Sequence, residues 1–228
     1  MKTFSVAKAH KTQLLLSERV VFEDRLPPKV RTVAGVDVAY FGDSAVGAVA
    51  VLDYETLETL ETQVAVCPVR IPYIPTLLSF REIPPAMAAI NKLRLWPDVF
   101  LVDAQGVAHP YRFGFASHLG VAIGKPTIGV AKSRLIGALT DKNGEVFLVD
   151  KGEVIGAVVA TRQGSKPVYV SVGHMVSLGT AVNIVEHSAK SRIPEPLLLA
   201  HNLATIERNG LAAQSKVNIK EDQPIDGV

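Results

Sequence analysis

The sequence holds one cysteine, Cys67, one tryptophan and an aromatic content of only 6%. A single thiol excludes an internal disulfide and any zinc site built on cysteine, and it suits a reducing compartment. Long apolar runs are also missing. The longest, residues 45–52 and 154–160, fall far short of the roughly 20 residues that a membrane-spanning helix needs. No apolar core follows the dispersed Lys2, Lys8 and Lys11, so no secretory leader is indicated and the expected compartment is the cytoplasm. Neither sign of charge dominates: 24 Lys and Arg against 22 Asp and Glu leave a net +2. That balance permits a nucleic-acid partner without arguing for one. Repeats, low-complexity tracts and phosphate-cradling glycine loops are absent. Gly124-Lys125-Pro126-Thr127 has a proline between Lys and Thr and no upstream glycine at the required spacing.

What is present is a globular composition, 48% hydrophobic and 20% charged over 228 residues, sufficient for one domain with a sizeable core. One stretch organises the rest. Residues 30–40 read V-R-T-V-A-G-V-D-V-A-Y, with valine at 30, 33, 36 and 38, the pattern of a strand buried on both faces. Asp37 sits inside it. An ionised carboxylate there is costly unless it is solvated at a strand end or compensated by a metal ion.

A helix is expected over 3–22, stopped by Leu26-Pro27-Pro28. Strands over 30–40, 45–52 and 56–68 then form an antiparallel meander, with Phe41-Gly42-Asp43-Ser44 turning its first hairpin. Thr76 is placed to cap a short helix over 77–82, which Pro84-Pro85 breaks before a second helix reaching Leu95. Further strands are expected over 98–102, 127–130, 146–149, 154–160 and 168–172. Helices are expected over 111–124, 177–189 and 196–209, the last closed by Gly210. Residues 211–228 are polar without periodicity and read as a loose tail. The order predicts one mixed α/β sheet with helices on both faces. It implies a single domain over 1–212 and a flexible tail over 213–228.

Asp37 in the first strand, Glu82 ending the short helix and Asp103 ending the fourth strand occupy comparable places. In open α/β sheets functional groups gather beyond strand ends. If the first and fourth strands are neighbours, Asp37 and Asp103 face one another, and such carboxylates repel unless protonated or bridged by a cation. Oxygen ligands without sulfur select Mg²⁺ or Mn²⁺. Taken singly, each residue has a plainer reading: Glu82 and Lys132 as solvated side chains, Tyr73 as a surface or core aromatic, His201 as a core histidine.

Longer motifs decide among these readings. Pro72-Tyr73-Ile74-Pro75 with Leu77-Leu78-Ser79-Phe80-Arg81-Glu82, then Val102-Asp103-Ala104-Gln105-Gly106-Val107-Ala108-His109-Pro110, then Gly129-Val130-Ala131-Lys132-Ser133 resemble the endonuclease V family. Ala34-Gly35-Val36-Asp37 and Val170-Ser171-Val172-Gly173-His174 also resemble it, and the likeness runs from about residue 3 to 210. The resemblance implies a ribonuclease H-like fold and a Mg²⁺-dependent endonuclease, with Mn²⁺ as a substitute, acting in DNA repair. It implies hydrolysis of the second phosphodiester 3′ to a deaminated adenine (inosine), leaving 5′-phosphate and 3′-hydroxyl ends. It implies a monomer that binds deoxyinosine-containing DNA. Inosine-containing RNA as substrate, or an altered base preference, stands as the alternative. On the matching positions Asp37, Glu82 and Asp103 would bind metal, His201 and His109 would lie close to it, and Lys132 would contact the scissile phosphate. Pro72, Tyr73, Ile74 and Pro75 would form a wedge, with Tyr73 filling the gap left by an extruded base. Thr76, Leu78, Arg81, Ala104 and Gly106 fall in the motifs that would line the substrate site. The wedge has a physical rationale: extrusion costs a few kcal/mol, and a tyrosine stiffened by prolines recovers about 1–3 kcal/mol of stacking.

Three positions depart from the family's pattern. Thr76 and Ala104 stand where glycine is usual, which narrows or shifts the loops expected around the base. Tyr111 stands where arginine is common, which removes a phosphate contact. Among the other histidines, His10 and His187 read as surface residues, His118 as a hydrogen-bonding core residue and His174 as a helix cap. A protein that bound inosine without cutting would gain nothing from clustered carboxylates. A sugar kinase or ATPase would need the glycine loops that are missing.

Overall fold

A computed structural model describes the backbone of residues 4–221 and the side chains of residues 4–214. The chain opens with α1 (Val6–Ser17), followed by β1 (Thr32–Phe41), β2 (Ser44–Asp53) and β3 (Thr59–Pro68). Next come α2 (Leu78–Ile90), β4 (Val99–Val102), α3 (Phe115–Ile123) and β5 (Thr127–Ala131). A run of β6 (Ala138–Lys142), β7 (Glu145–Asp150), β8 (Glu153–Val159) and β9 (Val168–His174) leads to α4 (Leu178–His187) and α5 (Glu195–Glu221).

Among the described residues the strands form one nine-stranded sheet in the order β3-β2-β1-β4-β5-β9-β8-β7-β6. The expected meander is there: β1–β2–β3 is antiparallel, and the pair Phe41↔Ser44 leaves Gly42, at φ +52°, and Asp43 as a two-residue turn. β4 and β5 run parallel to β1, each reached through a helical crossover, α2 or α3. Both faces are covered, as predicted. Val33, Leu101, Ile128 and Val170 enter a core shared with α4 and α5, while Ala34, Val36, Phe100 and Val102 pack on α2 and α3. Two glycines bring helix backbone onto the sheet. A Cβ at Gly35 would lie 2.0 Å from the Pro196 carbonyl oxygen of α5, and one at Gly47 would lie 2.1 Å from that of Pro85 in α2.

Several expected boundaries move. α1 covers Val6–Ser17 instead of 3–22, because the Ser5 hydroxyl caps it by accepting from the Lys8 amide. Its leucines do not form the buried face: Leu14 and Leu15 are exposed and Gln13 is fully buried. Pro84-Pro85 does not break α2, which runs through both. The prolines supply no N–H to the Phe80 and Arg81 carbonyls, but burial of Pro85, Ala86, Ala89 and Ile90 keeps the helix whole. Thr76 is no cap; Leu77 holds that place without a side-chain bond. α3 starts at Phe115, not Tyr111, since Arg112 takes φ +52° and Gly114 enters extended. Gly124, at φ +62°, ends it as the sequence implies. Gly210 does not close α5, which continues to Glu221. The loose tail expected over 211–228 is therefore helical up to Glu221, and 222–228 lie outside the described residues. β6 carried no apolar signal because its A-L-T-D-K sequence is mostly exposed at the sheet edge. Among the described residues no helix is long and apolar enough to cross a membrane.

Candidate active site

Side chains alternate along β1, so Asp37 shares with Gly35 the face that carries α5. The parallel register sets Val36 beside Val102, and the Asp103 amide donates to the Val36 carbonyl at 3.1 Å. The two strands are neighbours, so the two carboxylates emerge together just past the last β1–β4 pair, where β4 ends and β1 runs on. His201 on α5 completes the group, with Nδ1 2.7 Å from Asp37 Oδ2. One ligand atom from each of Asp37, Asp103 and His201 lies within 4.8 Å of the other two. Lys132, the first residue after β5, forms an ion pair with Asp103. Glu82 approaches from α2 on the opposite face and falls outside that set of three. Its side chain is buried, and Oε2 has no hydrogen-bond partner.

These carboxylates perturb one another. Burial, then the charge on Asp103, holds the Asp37 carboxyl above its ordinary value against the pull of His201 and the Val38 amide. Burial, then the charges on Asp37 and Asp103, holds Glu82 well above its own, with Arg81 opposing. A cation that prefers oxygen would relieve the repulsion and satisfy the orphaned Glu82 oxygen, so the residues present fit Mg²⁺ or Mn²⁺.

Next to the acidic group lies a cavity of about 130 Å³ lined by Tyr73, Thr76, Leu78, Glu82, Ala104 and His109. A second hollow, about 350 Å³, runs over Glu82, Asp103, Lys132 and Leu135. Glu82 belongs to both. Tyr73 stands 66% exposed on the cavity rim. Not every expected residue gathers here. Arg81 lines a separate hollow with Arg70, its guanidinium 4.3 Å over the Tyr40 ring. Gly106 does not line the cavity; a Cβ there would lie 2.0 Å from the Val172 carbonyl oxygen, so it seats the loop on β9. Pro72, Ile74 and Pro75 flank Tyr73 without lining the cavity. His109 sits at the cavity and outside the acidic set, and burial pushes it down to about 4.

The turn after Tyr73 explains what threonine does where glycine is usual. Leu77 N–H donates to the Ile74 carbonyl at 3.0 Å across Pro75-Thr76, and Thr76 has φ +70°. Proline followed by a positive φ is a type II turn, whose third residue favours glycine. A β-branched residue there carries strain of about 1–3 kcal/mol and persists only where its surroundings hold it. Gln13 Nε2 donates to the Thr76 carbonyl at 2.7 Å. His10 Nε2 lies 3.2 Å from Thr76 Oγ1, and His10 Nδ1 lies 3.3 Å from the Tyr111 hydroxyl. Thr76 and Tyr111, two of the three departures, thus meet through His10, which is half-buried and not the surface residue expected. Sequence reasoning missed His10 and Gln13. Their partners lie more than sixty residues away, and no local pattern marks them.

The remaining histidines are structural. His118 is the hydrogen-bonding core residue expected, its Nδ1 3.1 Å from Ser79 Oγ, and burial pushes it down to about 4. His174 ends β9 and accepts from the Val21 amide at 3.2 Å; Ser177, not His174, caps α4. His187 bonds the Tyr54 carbonyl at 2.7 Å.

An endonuclease V from Thermofilum pendens is 48% identical over 212 residues, covering 92% of this chain and 91% of its own. The crystal structure of endonuclease V from Streptomyces avermitilis matches with TM-score 0.85 and 39% identity over 93% of this chain and 96% of that one. That of a Ciona intestinalis endonuclease V, in complex with a 23mer DNA containing an inosine followed by a ribo-adenosine, matches with TM-score 0.82 and 32% identity over 90% and 98%. The model of the endonuclease V family spans residues 15–202, which takes in Asp37, Glu82, Asp103 and His201, and the chain belongs to that family.

Proposed function

We propose that this chain is a divalent-cation-dependent endonuclease that cuts inosine-containing nucleic acid at the second phosphodiester 3′ to the lesion, leaving 5′-phosphate and 3′-hydroxyl ends. The observation that carries the reading is the meeting, at Glu82, of the hollow that holds Asp103 and Lys132 with a cavity rimmed by an exposed tyrosine, beside an acidic set with the geometry to hold a cation. The inosine-containing DNA held by the Ciona relative supports the choice of base. We place the activity in DNA repair, carried out by a cytoplasmic monomer.

Asp37, Asp103 and Glu82 would hold the cation, Mg²⁺ or Mn²⁺, with His201 beside them. When bound, it would lower the pKa of a water and stabilise charge on the phosphate. His201 fixes the orientation of the Asp37 carboxylate through its 2.7 Å contact. Lys132, paired with Asp103 and 43% exposed, offers a point charge to a phosphate at the rim. Tyr73 enters the stack vacated by the flipped base. His109, neutral at physiological pH, brings an uncharged ring to the cavity instead of a charge.

The test uses matched DNA and RNA strands carrying one inosine, with Mg²⁺ or with EDTA, and the cut mapped. A single cut at the second 3′ bond, dependent on both cation and inosine and abolished by Asp37→Asn, is expected. Undiminished cutting in EDTA overturns the metal site, and equal cutting of adenosine strands overturns the base preference. Cutting of RNA alone moves the substrate to RNA.

A further inference from the structure

Helix α1 turns Ala9 and Gln13 inward, with His10 and Leu16 half-buried, and leaves Leu14 and Leu15 outward. Gln13 is fully buried, with Oε1 unpartnered, while Leu14 and Leu15 stand more than half exposed. A buried glutamine beside two exposed leucines is an unusual use of a helix face. What this orientation achieves is contact with the Thr76 turn, which lines the cavity beside Glu82, and with the loop that follows His109. Gln13 Nε2 reaches the Thr76 carbonyl at 2.7 Å in the turn and the Phe113 carbonyl at 3.3 Å at the end of that loop. His10 repeats the bridge with side chains, Nε2 to Thr76 Oγ1 at 3.2 Å and Nδ1 to the Tyr111 hydroxyl at 3.3 Å. Tyr111 stacks on His10, ring centroids 4.6 Å apart at 22°, and its amide lies 3.3 Å from His109 Nδ1. His109 and Thr76 both line the cavity, and the His109 ring also bonds the Thr76 backbone.

We propose that His10 and Gln13 are positioning residues for base specificity: they staple the Pro75-Thr76 turn to the loop from His109 to Phe113 and so set the width of the base cavity. The proposal rests on reading this cavity as the base pocket. Glycine at position 76 would hold φ +70° without help. Threonine does not, so the turn leans on the contacts that α1 adds to its own hydrogen bond and to that from His109. The staple is thereby coupled to the residue it holds, and that coupling is what the experiment reads.

Four proteins are compared: wild type, His10→Ala, Thr76→Gly and the double variant. Steady-state cleavage of an inosine strand is measured beside hydrogen exchange of the segment 73–79. His10→Ala should raise KM about three- to tenfold, the worth of one hydrogen bond. kcat should be unchanged, and exchange at the Leu77 amide should speed by a similar factor. In the Thr76→Gly background His10→Ala should change neither quantity. His10→Gln, which keeps a donor for Thr76, should restore part of the loss, and Tyr111→Phe should give a smaller effect in the same direction. Unchanged KM and exchange in His10→Ala, or equal losses in both backgrounds, overturn the proposal. A loss of kcat with KM unmoved also overturns it. If wild type does not prefer inosine strands, the base-pocket reading fails, and Leu77 exchange still decides whether α1 holds the turn.

Discussion

Replacing Asp37 by asparagine tests the acidic group through stability instead of turnover. Without a cation, Asp37 and Asp103 present oxygens within 4.8 Å of each other. At that separation and an effective dielectric of about 20, two unit charges repel by about 3.5 kcal/mol. Both side chains are largely shielded, 14% and 12% exposed, so salt screens them weakly. Against this, the variant gives up a charge-assisted bond to His201, about 1.5–3 kcal/mol. The cation-free variant should therefore be as stable as wild type or up to about 2 kcal/mol more stable. A cation at 100 times its dissociation constant stabilises wild type by about 2.7 kcal/mol, roughly 5–11 °C in Tm for a chain of this size. The variant should lose most of that shift. The pH dependence has a definite sign. Asp37 and Glu82 have folded-state carboxyls raised above 3.8 and 4.5, so they hold protons more tightly when folded. Their contribution to cation-free stability is complete below those ordinary values and is lost as pH rises through the raised ones. Asp37→Asn removes part of that loss. Thermal unfolding in EDTA and across a Mg²⁺ series, at several pH values, is the assay. A variant that melts several degrees below wild type in EDTA yet gains as much from Mg²⁺ refutes the reasoning.

Other perturbations separate scaffold from site. Gly35→Ala forces a Cβ to within 2.0 Å of the Pro196 carbonyl oxygen, so it should cost about 1–3 kcal/mol or more and carry His201 away from Asp37; denaturant unfolding and cleavage on one preparation check it, and a stable, fully active variant would be decisive against it. Tyr73→Ala should leave Tm within about 1–2 °C, because the side chain is 66% exposed, but weaken binding to inosine duplex by about 5- to 150-fold; equal affinity in a titration removes the wedge role. Burial pushes His118 down from 6.5 to about 4, so its neutral form stabilises the fold above pH 6.5 and about 3 kcal/mol is lost as pH falls toward 4. His118→Leu should flatten that part of the stability profile, and an unchanged slope counts against the shift.

What could be read from the sequence follows the range of the interaction involved. The valine run around Asp37 and the Phe41–Ser44 turn encode local geometry, so β1 and its hairpin with β2 were legible. The facing of Asp37 and Asp103 was legible only as a condition on strand order, which the parallel pairing of β1 and β4 meets. The motifs around Glu82, Asp103 and Lys132 carried the family. Local rules failed where tertiary contact outweighed them. Pro84-Pro85 reads as a break, but Gly47 opens room on β2 for Pro85, and the helix passes through. Gly210 reads as a stop, but α5 continues to Glu221. His10 and Gln13 were illegible for the same reason. A helical histidine and glutamine beside three leucines look like a solvated face until Thr76, more than sixty residues on, turns out to sit against them.

The seat of Pro196 on Gly35 has a consequence in time. Asp37 belongs to the first strand and His201 to the last helix, and they meet only where α5 lies across β1. A growing chain carries Asp37 early, but the proposed site is incomplete until residue 201 has been added and α5 lies over the first strand. Closure of such a distant contact is among the slower events of folding. A chain truncated before α5 lacks His201, and under the proposed function it should leave nucleic acid intact.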